Sequence, residues 1–284
     1  MSHVRLSILA TFFILLGLAA SSPVTTLAAE PTSTSVEAAG YQPITAPGTL
    51  MSVFGTGFPG GLTINDQATE VPLSTDLSGV QVCVDNVPSP MLFVSVRPDG
   101  TFQLNFQMPW EAKDSGGSTP VEVFYLGARL TTEILTVSTA APGLFTVNAS
   151  GTGQAAALTY NATTAEYTPN SVSSPARVGG ILILYGSGMD LPVNKDTGVQ
   201  GMPESGDAAP NSPLYITPTL PTVTVGGKPA TVLFSGLAPG FVGLWQINIQ
   251  LAPDTPTGNT VPVVVNYDGQ STRAGVTVAV QSTP

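Results

Sequence analysis

The chain spells one domain-sized pattern twice. Gln103-Leu-Asn-Phe-Gln-Met-Pro109 returns as Gln246-Ile-Asn-Ile-Gln-Leu-Ala-Pro253. Leu50-Met-Ser-Val-Phe-Gly-Thr-Gly-Phe58 returns as Ile181-Leu-Ile-Leu-Tyr-Gly-Ser-Gly-Met189. Val82-Cys-Val-Asp-Asn-Val-Pro88 and Pro120-Val-Glu-Val-Phe-Tyr-Leu-Gly127 return from Val223 and Pro262. Leu50 to Ile181 is 131 residues, Val82 to Val223 is 141, Gln103 to Gln246 is 143 and Pro120 to Pro262 is 142. Landmarks that keep their order and nearly their spacing mark a duplicated folding unit whose length changes fall in loops. An active site is seldom needed twice in one chain, whereas a packing solution is, so the repeat speaks first about architecture.

Each copy reads as short strands. Leu50–Phe54 stops at the turn Gly55-Thr-Gly57, Gly79–Asp85 alternates valine with polar residues, and Met91–Val96 stops at Arg97-Pro-Asp-Gly100. Phe102–Met108, Val121–Tyr125 and Glu133–Val137 complete about seven strands with turns every 8–12 residues, the immunoglobulin-like signature. Past residue 29 no window of ten residues carries a helical pattern. The predicted fold is all-β: two tandem immunoglobulin-like β-sandwiches related by internal duplication. Their expected bounds are 43–145 and 178–284, with a β-rich connector over 146–177 and a loose segment over 30–42. In the connector, residues around Asn161 are expected to turn a hairpin. No Cys…Trp…Cys pattern is present, so antibody-type domains are not implied.

The first 29 residues read as a signal peptide. Arg5 precedes an apolar run from Leu6 to Ala20, and small residues follow to Ala28-Ala29. A spanning helix needs about 20 apolar residues, so the expectation is a secreted or extracellular protein with no stable membrane anchor after cleavage. No cysteine lies near the end of the apolar run, which excludes a lipoprotein. Cleavage would also remove His3, the only histidine. The 18 Asp and Glu against 8 Lys and Arg leave no basic stripe for phosphates, which excludes nucleic acid. Cys83 is the single cysteine, so no internal disulfide forms. It sits opposite Val82 and Val84 in strand parity, either as a small strand residue or as a point for an intermolecular bridge.

Several further motifs resemble the secreted "Solibacter uncharacterised C-terminal domain" family. They are Ala46-Pro-Gly-Thr49, the Gln-x-Asn-x-Gln-x-Pro strand, Ala141-Pro-Gly-Leu-Phe145, Gly151-x-Gly-Gln-Ala-Ala-Ala157, Pro175-Ala-x-x-Gly179 and Gly236-Leu-Ala-Pro-Gly-Phe-x-Gly243. The strand-then-Gly-x-Gly openings also resemble IPT/TIG immunoglobulin-like units. The resemblance implies export and fold, and no activity.

The amide strand carries the leading site candidates. Period-2 geometry puts Leu104, Phe106 and Met108 on one face and Gln103, Asn105 and Gln107 on the other. The second copy repeats the amides as Gln246, Asn248 and Gln250. Amides donate and accept, so this face either ties down neighbouring loop backbone or meets sugar hydroxyls, with Trp110 and Trp245 as flanking stacking platforms. Gly55-Thr-Gly-Phe-Pro-Gly60 fits a dinucleotide fingerprint but opens no helix, so no pyrophosphate site follows. A mature chain without histidine offers no Ser–His or Cys–His pair. Glu111, Asp114, Glu122 and Glu133 cluster in sequence and are the acids a carboxylate hydrolase would draw on. No cofactor is expected. Asp190, Asp196, Glu204 and Asp207 share one long loop and are weak calcium candidates. The function expected is a secreted, non-catalytic interaction or scaffold protein with an extracellular protein or glycan as its unidentified partner. A carbohydrate-binding module is the alternative.

Overall fold

The computed structural model describes residues 30–112, 117–161 and 164–282, and within them every regular element is a strand. Residues 1–29, read from sequence as a signal peptide, lie outside the described residues. In the first copy, one sheet runs β1 (Thr32–Glu37), β2 (Leu50–Thr56), β7 (Thr101–Gln107), β6 (Met91–Val96) and β3 (Ile64–Gln67). The facing sheet runs β5 (Val87–Pro88), β4 (Val80–Val84), β8 (Gly117–Tyr125) and β9 (Ala128–Val137). With β3 and β5 as additions at the sheet edges, the remaining seven strands lettered in chain order form the A-B-E-D and C-F-G layers of an immunoglobulin sandwich. Alternation decides which side chains go inside. Val80, Val82 and Val84, Leu104, Phe106 and Met108, and Val121 and Val123 are fully buried in one cluster between the layers. Each contributes about 1.5–3 kcal/mol on full burial.

Residues 143–177 then form β10 (Gly143–Leu144), β11 (Gly153–Gln154), β12 (Ala157–Asn161), β13 (Glu166–Pro169) and β14 (Ala176–Arg177). The second copy continues with β15 (Ile181–Ser187), β16 (Val193–Asn194), β17 (Tyr215–Ile216), β18 (Thr222–Val225) and β19 (Lys228–Leu237). It ends with β20 (Trp245–Gln250), β21 (Gly258–Tyr267), β22 (Gln270–Ser271) and β23 (Val276–Gln281). Here β12-β15-β20-β19 reproduces A-B-E-D, and β18-β21-β23 reproduces C-F-G. The start of β19 pairs with β18, and from Thr231 onward the strand pairs with β20, so one strand crosses between the layers. In the first copy the same path is broken into β5 and β6.

The duplication holds to the level of register. Leu50 faces Gln107 as Ile181 faces Gln250, and Gly55 faces Phe102 as Gly186 faces Trp245. A bulge between Met91 and Phe93 recurs between Val232 and Phe234. Gly55 and Gly186 are required for one shared reason. A Cβ at either would collide with a carbonyl of a strand paired alongside, Thr32 O on β1 or Gly143 O on β10.

The segment expected to be loose is not. Thr32–Glu37 pairs along the whole of β2, and Ser35 and Glu37 point inward. Alternating Thr, Ser and Val suits an edge strand, and without it β2 would present an unpaired edge. Strand β12 pairs antiparallel with β13 on one side and with β15 on the other. Both β11 and β14 run parallel to β23. The strands of 153–177 therefore belong, by pairing, with the second sandwich.

Candidate functional site

The amide strand links an open surface to the seam between the sandwiches. Gln103 is half-buried, and its Nε2 donates to Asn105 Oδ1 at 3.2 Å. Asn105 also accepts from Ser52 Oγ at 3.0 Å and is buried. Gln107, one step further, is fully buried, and its Oε1 accepts the backbone N–H of Gly206 in the second copy at 2.7 Å. Asn105 Nδ2 and Gln107 Nε2 have no hydrogen-bond partner. In the second copy the gradient is gentler and ends in solvent. Gln246 and Asn248 are half-buried and hydrogen-bonded to each other, and Gln250 is exposed with its Nε2 on Gly179 O.

Around Gln107 the two sandwiches are stitched by polar and apolar contacts. Leu50 N donates to Ser187 Oγ at 2.7 Å and Trp110 N to Ser205 Oγ at 2.9 Å. Ser205 Oγ donates in turn to Glu111 at 2.8 Å. Leu50, Ala38 and Ala39 share an apolar cluster with Phe145, Ala156, Ala238 and Leu244, against which Leu92, Tyr185 and Phe241 pack.

Neither tryptophan is a stacking platform. Trp110 is 5% exposed and sits in the second sandwich's core cluster with Leu144, Met189 and Ala209, although it leaves the first sandwich. Gly48 lies against its ring so closely that a Cβ would overlap it. Trp245 is 0% exposed, tilted against Tyr267 at 5.7 Å, with its Nε1 donating to Ser235 Oγ at 2.9 Å. A sugar needs a bare ring face, and burial removes it in both. The two rings are not repeat equivalents: Trp110 follows its amide strand, whereas Trp245 opens its own.

Glu37 is the group the sequence reading passed over. It is 0% exposed, and its carboxylate accepts from Ala39 N at 2.9 Å and Gly40 N at 2.6 Å. Gly143 lies directly on it, and Arg273, whose guanidinium donates to Gly40 O at 3.1 Å, is nearby. Burial pushes the carboxyl up to about 7, against the downward pull of the Ala39, Gln42 and Gly40 N–H groups and of the Arg273 charge. The sequence signal was Ala-Ala-Gly directly after Glu37, small residues that let backbone wrap a carboxylate.

The acids do not assemble. Among the described residues no group of three or more His, Cys, Asp or Glu could hold a metal ion, so Asp190, Asp196, Glu204 and Asp207 do not form a calcium cage. Asp190 accepts from Leu191 N, and Glu204 O accepts from Asp207 N, so both tie down their own loop. Glu122 pairs with Arg129 at 2.6 Å, Glu133 takes the N–H and hydroxyl of Ser35, and Glu111 takes Ser205. Asp114 lies outside the described residues. Cys83 is half-buried beside Glu122, and burial raises its thiol above the ordinary range.

Two concave surfaces touch the amide strands. A groove of about 420 Å³ lies on the first sandwich over Thr34, Phe54, Gln103, Ser95 and Asn65. A wider cleft of about 940 Å³ lies at the far end of the second, among Tyr160, Glu166, Arg177, Gln250 and Gln281.

No family model and no curated protein matches the chain, so the resemblance to the Solibacter family has no support from that side. Similar solved structures include tandem Ig repeats of Dlar, at 10% identity over 89% of this chain and 99% of that one, with a TM-score of 0.19. Domains 5-6 of the S-layer protein SbsC are similar at 13% identity over 93% of this chain and 100% of that one, with a TM-score of 0.21. Superposition that poor carries no argument, and the immunoglobulin-like assignment rests on strand order and register.

Proposed function

We propose that this is a secreted, non-catalytic interaction scaffold in which the two immunoglobulin-like sandwiches, the first including β1 and the second including the strands of 153–177, act as one rigid body. The observation that carries the reading is the seam. Trp110 leaves one sandwich to be buried in the core of the other, while Gln107 caps a loop N–H of its neighbour. An aromatic anchor buries about 150–250 Å², and a buried amide leaves an unsatisfied partner if the units part. Both features oppose hinge motion. Support for a non-catalytic role comes from the acids Glu111, Glu122 and Glu133, each engaged in a structural hydrogen bond or ion pair. Export rests on the leader-like first 29 residues.

Limited proteolysis of residues 30–284 tests the rigidity. The expected result is one resistant core that loses only short loop peptides. Release of two stable halves by a cut between 146 and 177 would contradict it.

A further inference from the structure

We infer that the open groove on the outer A-B-E-D face of the first sandwich is a binding site for a neutral saccharide. Its floor is one straight row across all five strands. Thr34 faces Phe54, Phe54 faces Gln103, Gln103 faces Ser95, and Ser95 faces Asn65. All five line the groove, together with Thr56, Thr101 and Arg97 one row along. Strands about 4.8 Å apart therefore present hydroxyl, ring, amide, hydroxyl and amide in sequence. Thr34 and Asn65 are exposed at the two ends, and Phe54, Gln103 and Ser95 are half-buried between them.

The chemistry selects the occupant. Hydroxyls and amides can each donate and accept, which suits a ligand edged with hydroxyl groups. The Phe54 ring, tilted 32° to Tyr41 at 6.3 Å, supplies the apolar surface that a sugar's C–H face requires. Arg97 is the one charged residue in the lining, so nothing there is built to hold a polyanion. A peptide strand would seek unpaired backbone at a sheet edge, whereas the middle of this groove lies over β2, β7 and β6, each paired on both sides. Its volume of about 420 Å³ falls within the range of about 300–1,000 Å³ usual for small-ligand sites.

The groove is also continuous with a surface the molecule already uses for docking. The row beside it holds Asn105, and the next holds Gln107, which captures the Gly206 N–H of the second sandwich. One half of this face is an interface inside the chain, and the other half offers the same amide chemistry to solvent. The saccharide site extends the non-catalytic reading and does not depend on the rigidity of the seam.

The test is an array of neutral glycans (α-glucans, β-glucans, galactomannans and xylans) beside sulfated and uronic-acid glycans, probed with residues 30–284. Titration of a neutral hit then follows with single variants. Binding to a neutral glycan is expected, weakened tenfold or more by Phe54→Ala and severalfold by Gln103→Ala and Asn65→Ala. The exposed change Leu220→Ser in the other sandwich should leave it unchanged. Thr34 and Asn65 are exposed, so Thr34→Ala and Asn65→Ala carry the test should Phe54→Ala fail to fold. Three results would overturn the inference: no neutral glycan bound, binding confined to anionic glycans, or neutral binding indifferent to all four groove variants. None of these would alter the proteolysis outcome, so the two proposals fail separately.

Discussion

Phe54, Gln103, Ser95 and Asn65 cross the first sandwich at the same register as Tyr185, Gln246, Gly236 and Ile216 cross the second. The glutamine is kept in both rows, and everything around it differs. In the first, small and polar neighbours leave a groove. In the second, Tyr185 packs into the apolar cluster that joins the sandwiches, and Gly236 is buried so close to Tyr215 O that no Cβ would fit. The other end of the face is reversed: Gln107 is sealed in the seam, whereas its equivalent Gln250 is exposed. The seam thus joins unlike ends of two like faces. Duplication preserves backbone register, and side-chain size then decides which end of the face is covered.

Substitution of the tryptophans should sharpen that comparison most. Trp245→Ala is expected to cost about 3–5 kcal/mol, confined to the second sandwich, and to leave Ser235 Oγ without its donor. Trp110→Ala should cost a similar amount but also uncouple the units, turning one denaturant transition into two. If Trp110→Ala unfolded as a single transition, the ring would not be what couples the copies.

Next in size comes pH. Between about 4.5 and 7 the folded chain holds a proton on Glu37 that the unfolded chain has released. Stability should therefore fall as pH rises through that window, by up to ~3 kcal/mol at about 1.4 kcal/mol per pH unit. Urea titrations at pH 4.5, 6 and 7.5 measure it, and Glu37→Gln should flatten the slope. An unchanged slope in that variant would place the titrating group elsewhere.

The smallest effect separates the equivalent amides. Gln107→Ala strands the buried Gly206 N–H and should cost about 1–3 kcal/mol. Gln250→Ala, on the exposed end, should stay within about 0.5 kcal/mol. Equal costs would mean that burial at the seam does not distinguish the two copies.

Much of this fold was legible in the residues. The repeat, the alternating valines and the turn glycines lead directly to two all-β units, because period and turn chemistry are local properties. The amide strand was also legible as a packing device, a role in which Gln107 accepts the Gly206 N–H. What sequence could not supply was coverage. Trp110 and Trp245 read as possible platforms because burial depends on distant partners: a core 30 residues or more away for Trp110, and Ser235 with Tyr267 for Trp245. Glu37 was missed for the same reason, since Gly143 and Arg273 reach it from far along the chain. The groove escaped notice because its row draws one residue from each of five strands that are scattered in sequence.

The rigid coupling of the two copies is best tested by residual dipolar couplings on residues 30–284 in a weakly aligning medium. Backbone amides of β2, β7, β15 and β20 should fit a single alignment tensor, with the interunit orientation set by the Trp110 and Gln107 contacts. Two tensors of different magnitude would show that the sandwiches reorient independently, and the seam would then not hold them as one body.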